Sequence, residues 1–301
     1  MRTVAVLGSV NMDMVLITNR IPQVGESIIG EKIEYFVGGK GANQAVAASR
    51  AGGNVSFLGK VGEDAFGSRI LSHLEQEDLD LTQVEATRDT ATGIASIFKL
   101  PEDNCIVAIP GANGLVDGDY VEKIREKIKT SDILLLQLEV PIPTVKQALK
   151  LAKDNQVLTI LNPAPYHEAT LEMLTDVDYL TPNETEFSMM LGEELIPVEE
   201  LEERLLDWQA KHKTKILLTR GKDGVSFVEE GKVETIPGYQ VTVADTTGAG
   251  DTFNGVLAAE LGQGRDLREA VHYANAAAGL SVTKLGAQTG MPTKAEIEEF
   301  I

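Results

Sequence analysis

The densest run of chemistry-bearing residues in this 301-residue chain is Asp245-Thr246-Thr247-Gly248-Ala249-Gly250-Asp251-Thr252-Phe253. The preceding Tyr239–Ala244 stretch is β-branched and reads as extended. The following Gly250–Leu261 stretch sets Phe253, Val256, Leu257 and Leu261 on one helical face. Gly248, Ala249 and Gly250 therefore fall at a helix N-terminus, where free N–H groups and the helix dipole favour an anion. Glycine there lets a phosphate approach the backbone. Asp251 lies in the first turn. A carboxylate beside an anion site is costly unless it acts on something, and the task open to it is taking a proton from an attacking hydroxyl. The residues alone equally allow Asp251 to cap the helix or complement its dipole.

A second run, Val37-Gly38-Gly39-Lys40-Gly41-Ala42-Asn43-Gln44-Ala45, opens an alanine-rich helix. Its glycines expose backbone to a ligand, and Lys40 and Asn43 offer donors to hydroxyls. It is not a Walker A loop, because Gly41 follows Lys40 where Ser or Thr would stand, and the chain has no G-x-G-x-x-G to support dinucleotide binding. Asn11 and Asp13 follow the first strand through Gly8-Ser9, a position suited to hydroxyl recognition. Glu139 follows the apolar run Ile133–Leu138 in the same way and reads equally as a solvated loop carboxylate. Asn183 and Glu186 have the spacing of a capping box. Asn162-Pro163-Ala164-Pro165 is a stiff turn, and Thr219-Arg220-Gly221-Lys222-Asp223-Gly224 is a glycine-bearing loop.

These residues need a scaffold that brings strand ends together. Val4–Leu7, Val55–Leu58, Ile133–Leu138, Leu158–Leu161 and Ile216–Leu218 read as buried strands. Ala42–Ala51, Phe66–Glu77, Asp119–Lys127, Thr144–Lys153 and Val198–His212 read as helices between them. The alternation predicts an α/β fold, a three-layer Rossmann-like arrangement with a mostly parallel sheet and helices on both faces. Ligands bind such sheets beyond the carboxyl ends of the strands. Met14–Phe36 and Thr92–Pro110 break the rhythm. The second reads as a hairpin around Pro101-Glu102-Asp103-Asn104, and local pattern alone favours a plain edge hairpin over a lid. A further hairpin is expected at Gly224–Ile236, turning near Glu230-Gly231, and helices dominate from Gly250 onward.

Composition sets the outer bounds. Hydrophobic residues make up 43% of the chain and the net charge is −19. That excess of acid disfavours a nucleic-acid partner, and no apolar run is long enough to span a membrane. A single cysteine, Cys105, rules out an intrachain disulfide and fits a reducing cytoplasm. The four histidines are too scattered for a metal site.

Asp245 through Asp251 resembles the C-terminal signature of the PfkB carbohydrate kinase family. Gly38-Gly39-Lys40-Gly41-Ala42-Asn43-Gln44-Ala45, with Asn11-Met12-Asp13 ahead of it and Gly52 and Gly62 after it, resembles the N-terminal one. Asn162–Pro165, Asn183–Glu186 and Gly286-Ala287-Gln288 add to the likeness, which spans the whole chain in order. The resemblance implies one ribokinase-like domain over residues 1–301, with a discontinuous β-lid formed by about 14–36 and 92–110 that also joins a homodimer. It implies transfer of phosphate from ATP to a small sugar, D-ribose at its primary hydroxyl first, with deoxyribose, fructose or 2-keto-3-deoxygluconate as alternatives. A catalytically silent sugar-binding regulator is the rival from another class, and the intact Gly248–Asp251 run argues against it.

The same resemblance assigns roles. Asp251 would be the catalytic base, with Gly248, Ala249 and Gly250 as the anion hole. Asn11, Met12, Asp13, Gly39, Lys40, Gly41, Asn43 and Glu139 would meet the sugar. Asn183, Thr219 through Gly224 (Arg220, Gly221, Lys222 and Asp223 included) and Asn275 would line the nucleotide pocket. Glu186 would organise Mg²⁺ through water. Asp245, Thr247, Ser281, Lys284, Gly286 and Gly290 would form a K⁺ site. Two positions depart from the family pattern: Val256 replaces a small residue, which is expected to alter helix packing, and Gly290 lacks the serine hydroxyl often found near that point.

Overall fold

A computed structural model describes residues 2–100 and 104–301. Six parallel strands form the main sheet in the order Lys215–Ile216, Tyr179–Leu180, Leu158–Leu161, Ile133–Leu136, Thr3–Leu7, Asn54–Leu58. Side chains alternate across a strand, and here the two sets enter two separate cores. Val4, Val6, Ile133, Leu135 and Ile160 pack with the helices Lys40–Arg50, Ala249–Gly262 and Leu267–Ser281. Ala5, Leu7, Leu134, Leu136 and Leu161 pack on the other face with Ile142–Asp154, Leu201–Lys211 and the short helices Gly118–Lys123 and Arg125–Thr130. Cover on both faces explains why the central strands are apolar without a break. The sheet and its two helical layers match the expected fold class.

A close contact lies between Lys40–Arg50 and Ala249–Gly262. A Cβ on Gly255 would lie 2.3 Å from the Gln44 carbonyl oxygen and 2.7 Å from the Ala47 methyl. The helices approach so closely that only glycine fits. Asp251 is one turn before Gly255 and so lies on the same face. Val256, expected to alter helix packing, is fully buried in the core of the sheet.

A second sheet runs Lys32–Gly38, Asn11–Ile17, Gly93–Lys99, Asn104–Ile109, with antiparallel outer pairs around a parallel central pair. It corresponds to the expected lid, with one correction. Its strands begin at Asn11 and extend to Gly38, so Asn11 and Asp13 belong to a lid strand and not to a loop after the first strand. Lys99 pairs with Asn104, while Pro101, Glu102 and Asp103 of the expected turn lie outside the described residues. Both faces of this thin sheet carry exposed apolar groups: Ile33 and Val107 on one, Phe36 and Ile106 on the other.

Four other elements differ from expectation. Asp119–Lys127 is interrupted at Ile124, whose ψ of 6° leaves the helical range. The helix expected from Val198 opens with a 3₁₀ turn, Val198–Glu200. Strand Ile133–Leu138 stops at Leu136, and Leu138 N–H turns to the Ala164 carbonyl. Ile216–Leu218 is divided: Lys215–Ile216 ends the main sheet, and Leu218–Thr219 starts a three-stranded antiparallel sheet with the hairpin Val225–Glu229/Lys232–Ile236. Among the described residues no helix is long and apolar enough to cross a membrane.

Candidate functional site

A cavity of about 650 Å³ opens beyond the carboxyl ends of the main-sheet strands. Asn162 and Thr181 line it directly after two of those strands, and Thr219 at the end of the short strand Leu218–Thr219. Gly248–Asp251 form one wall. Gly248 has φ 79°, and a Cβ there would lie 2.8 Å from the Ala287 methyl, so the turn needs glycine on two counts. Ala249 N–H bonds the Thr246 carbonyl and Thr252 N–H bonds the Gly248 carbonyl. The N–H groups of Gly250 and Asp251 between them have no backbone acceptor among the described residues. A Cβ on Gly250 would meet nothing within 4 Å, so that backbone is open to the cavity. The arrangement suits an anion.

Asp251 is 8% exposed. Asn43 Nδ2 donates to its Oδ2 and Gln44 Nε2 to its Oδ1, each at 3.0 Å. Burial raises its pKa. Lys40 and the two amides pull it back toward the charged form, while Glu139 pushes further up. Glu139 is held by Ser9 Oγ and by Lys40 N–H at 3.1 Å, both on Oε2. Asp13 joins this group from the lid: burial, then Glu139, then Asp251, raise its pKa to about 7. Burial alone would depress the Lys40 ammonium, but Asp251, Glu139 and Glu186 outweigh it and raise its pKa. Asp251, Glu139 and Glu186 thus act on one lysine, and Asp13 adds a further carboxylate beside Glu139 and Asp251. Acceptors of this kind, with one ammonium, can order several hydroxyls and take a proton from one of them.

The other expected contacts divide. Asn11 Oδ1 accepts from Asn113 Nδ2 at 2.8 Å, which fixes its amide so that Nδ2 remains to donate. Gly39, with φ 91°, would press a Cβ 2.7 Å from Val10 Cα. Met12 and Gly41 have only backbone to offer a sugar. The Met12 side chain is fully buried in the core, and Gly41 packs against Gly8, 2.6 Å from where its Cβ would be. Strand alternation turns Met12 inward as it turns Asp13 outward.

Asn183, Glu186, Thr219, Gly221, Lys222, Gly224 and Asn275 line the cavity, where Tyr239, Val241 and Val282 add apolar surface. Arg220 and Asp223 do not line it. Arg220 turns to Glu184 at 3.3 Å and Ser226 Oγ at 3.2 Å, and Asp223 sits on an exposed 3₁₀ turn. Asn183 and Glu186 form the expected capping box, which uses one carboxylate oxygen, Oε2. Burial raises the Glu186 pKa, with the Asn183 N–H and Lys40 opposing. The remaining oxygen and the cavity position fit a role in holding a hydrated divalent ion.

At the expected monovalent-cation site, Asp245 Oδ1 accepts from Thr247 N–H (2.9 Å) and Oγ1 (2.7 Å), and Oδ2 from Gly286 N–H (2.9 Å). Burial opposes ionisation here, but these bonds prevail and lower the Asp245 pKa. The Lys284 ammonium turns away to Glu296 at 3.2 Å, and Ser281 Oγ bonds the Ala278 carbonyl at 2.8 Å. Lys284 therefore has only its backbone oxygen to offer. A Cβ at Gly290 would lie 2.3 Å from the Ser281 carbonyl oxygen, so this backbone excludes a serine there. The fixed negative charge of Asp245 fits a hard cation.

Gln44, Asn113, Ser9 and Gln137 were not singled out from sequence. Gln44, Asn113 and Ser9 each hold a candidate residue from behind, and Gln137 holds Gln44. The only signal was a polar residue, Gln44, within an otherwise small-residue helix face.

The raised Asp13 pKa makes a stability prediction for ligand-free protein. Between an unfolded value near 3.8 and a folded value of about 7 the native state binds more protons, so this group's contribution is complete at low pH and is lost as pH rises through 7. Asp13→Asn removes that loss. Its melting temperature is expected to exceed that of the parent at pH 8, and the gap to shrink toward pH 4–5. Parallel melting curves across pH would contradict the shift.

A scan against family profiles matches residues 1–294 to the pfkB family carbohydrate kinases. The chain is 40% identical over 301 residues to the ribokinase of Bacillus subtilis, covering 100% of both chains. It is 42% identical over 299 residues to that of Lactococcus lactis, covering 99% of this chain and 96% of the relative. The solved structure of Arabidopsis thaliana ribokinase complexed with ribose and ATP superposes with a TM-score of 0.91 at 29% identity, covering 99% of this chain and 98% of that one. With full-length identity at this level and the Gly248–Asp251 turn facing an open cavity, the chain belongs to the PfkB family of carbohydrate kinases.

Proposed function

We propose that the protein transfers the γ-phosphoryl group of ATP to the primary hydroxyl of D-ribose, giving ribose 5-phosphate. The observation that carries this is Asp251: a buried carboxylate, gripped by two amides, in the first turn of a helix whose free N–H groups face a nucleotide-sized cavity. In this reading Asp251 takes the proton of the sugar hydroxyl as it attacks in line. Burial raises its proton affinity, which suits a base, while Lys40, Asn43 and Gln44 oppose that rise by favouring the charged form. The Gly248–Gly250 turn and Lys40 receive the charge that develops on the transferred phosphoryl group. Asp13, Asn11 and Glu139 orient the sugar, with Asp13 as the acceptor for vicinal hydroxyls. Asn183 and the Thr219–Gly224 loop hold the nucleotide, whose base fits beside Tyr239 and Asn275. Mg²⁺, held near Glu186 through water, would screen the phosphates. The likeness to a ribokinase complexed with ribose and ATP supports the choice of ligands.

The domain reading is part of the proposal: one kinase unit over 1–301, closed by the lid of about 14–36 and 92–110. Closure brings Asp13 over the sugar and excludes water. Apolar groups on both faces of the thin lid sheet support a homodimer joined there. K⁺ bound by Asp245 and neighbouring carbonyls would fix the loop that presents Gly248–Gly250.

Three outcomes are expected. In a coupled ADP-release assay over a sugar panel, D-ribose should give the highest kcat/KM. Asp251→Asn should lower turnover by ~10²–10⁴-fold while ribose binding by calorimetry persists. A preference for 2-deoxyribose would overturn the ribose assignment, and normal turnover of Asp251→Asn would overturn the base. Second, turnover in Tris buffer free of alkali cations should rise on adding K⁺ more than Na⁺ at matched ionic strength, with sugar KM changing less than kcat. Equal rates would leave Asp245 as a loop anchor only. Third, light scattering at micromolar concentration should report a dimer, and Ile106→Glu should weaken it; a parent monomer would remove the lid interface.

A further inference from the structure

We propose that Gln44 is a positioning residue for phosphoryl transfer, fixing both the rotamer and the proton affinity of the Asp251 carboxylate. The inference rests on the reading of Asp251 as the base and concerns the groups behind it. Gln44 is fully buried, so no solvent competes for its amide. Its Nε2 has two hydrogens and two acceptors: Asp251 Oδ1 at 3.0 Å and Asn162 Oδ1 at 3.1 Å. Its Oε1 accepts from Gln137 Nε2 at 2.6 Å. A flipped Gln44 amide would set its oxygen against two oxygens and its nitrogen against a nitrogen. The orientation is therefore over-determined.

The neighbours are fixed in turn. Asn162 Nδ2 donates to the Thr181 carbonyl at 3.3 Å, which turns Asn162 Oδ1 toward Gln44. Gln137 is fully buried, and its own Oε1 has no partner among the described residues. That oxygen lies 2.0 Å from where a Cβ on Gly8 would be, so Gly8 makes the room that Gln137 occupies. An unpaired buried carbonyl is unfavourable. Its retention makes sense where the amide nitrogen of the same side chain is committed to orienting Gln44.

On the far side, Asn43 Nδ2 donates to Asp251 Oδ2, and Gln288 Nε2 fixes Asn43 by donating to its Oδ1 at 2.9 Å. One amide thus holds each carboxylate oxygen. Among the described residues no ammonium or guanidinium bonds Asp251 directly. Lys40 on the same helix as Gln44, Glu139 after the Ile133–Leu136 strand and Asp13 on the lid act on it through space. The amides set the carboxylate plane, and because they donate to the charged form they hold the pKa down.

The test is the pH dependence of kcat in Gln44→Met, which keeps shape but removes the donor. Measured at saturating sugar, where Asp13 is engaged by ligand, the acidic limb should move to higher pH by about half to one unit, because a lost donor favours the protonated acid. Turnover at neutral pH should fall about 10-fold, the scale of a misaligned base rather than an absent one. Sugar KM should change less than about threefold, since uniform binding is untouched. A purely packing role would lower stability and leave the limb where it was, so an unmoved limb overturns the proposal. Should Gln44→Met fail to fold, Gln137→Leu carries the same test: it leaves Gln44 in place but removes the group that orients it. A smaller shift in the same direction supports the proposal, and a parent-like profile refutes it. Asp251→Asn is measured beside them. If that variant keeps turnover, the base reading itself falls; if it is silent while the Gln44 and Gln137 variants keep the parent limb, only the positioning role falls.

Discussion

The contact between Gly255 and the Gln44 carbonyl sets the rest of the site. Two helices that meet at an ordinary distance would leave a carboxylate on one of them several ångströms from amides on the other. With no Cβ at position 255 the backbones come close enough for Asn43 and Gln44 to reach both oxygens of Asp251. The two helices begin at opposite glycine turns, Gly39 and Gly248, both with positive φ. The same approach therefore brings the open Gly250–Asp251 backbone and Lys40 to one cavity wall. Packing and chemistry share one constraint, and the alanines of Lys40–Arg50 extend it along the interface.

The electrostatics follow from that geometry. Asp251, Glu139 and Asp13 come from a helix, a strand end and a lid strand, and burial raises the pKa of Asp251 and Asp13. One ammonium, Lys40, acts on Asp251 and Glu139. A site built this way is rich in acceptors and poor in donors, which is the complement of a polyhydroxylated ligand. It is also unsettled without one, because like charges out of water are costly. In the proposed closure the lid carboxylate is the member whose environment would change, which would link closure and charge in one residue.

The main sheet was legible because its strands are apolar on both faces and its helices are amphipathic; both periods are written in the sequence. The Gly248–Asp251 turn was legible because glycines followed by a helical pattern admit few backbones. Other features were not. Asn11 and Asp13 looked like loop residues because a four-stranded lid needs pairing partners, Phe36 and Ala95, that are distant in sequence. Met12 was grouped with its neighbours by motif, although alternation alone would have turned it inward. Gly290 looked like a missing ligand; its meaning depends on a carbonyl nine residues earlier that would collide with any side chain. Gln137 gave no signal at all, since the consequence of a buried amide is set by which atoms it meets.

The loop expected to hold a cation is tied to the same centre by ordinary hydrogen bonds. Asp245 grips Gly286 N–H, and two residues on Gln288 donates to Asn43, which in turn holds Asp251. Arg50, at the end of the alanine-rich helix, bonds the carbonyls of Gln288 and Met291 at 2.5 and 3.1 Å. The Gly286–Gly290 segment is thus pinned to the Lys40–Arg50 helix and to the loop that leads into Ala249–Gly262. A shift of that segment cannot leave Asn43 unmoved without breaking a buried amide pair, and an unpaired buried amide is unfavourable enough to resist it. Rigidity in the loop is transmitted as orientation of the carboxylate, through two side chains and no change of fold. Asp13 and Glu139, the residues proposed to meet the sugar, stand outside this chain of bonds, on the lid and at a strand end. The expected result of loosening the loop is therefore a poorly aimed base in a site that still recognises its ligand.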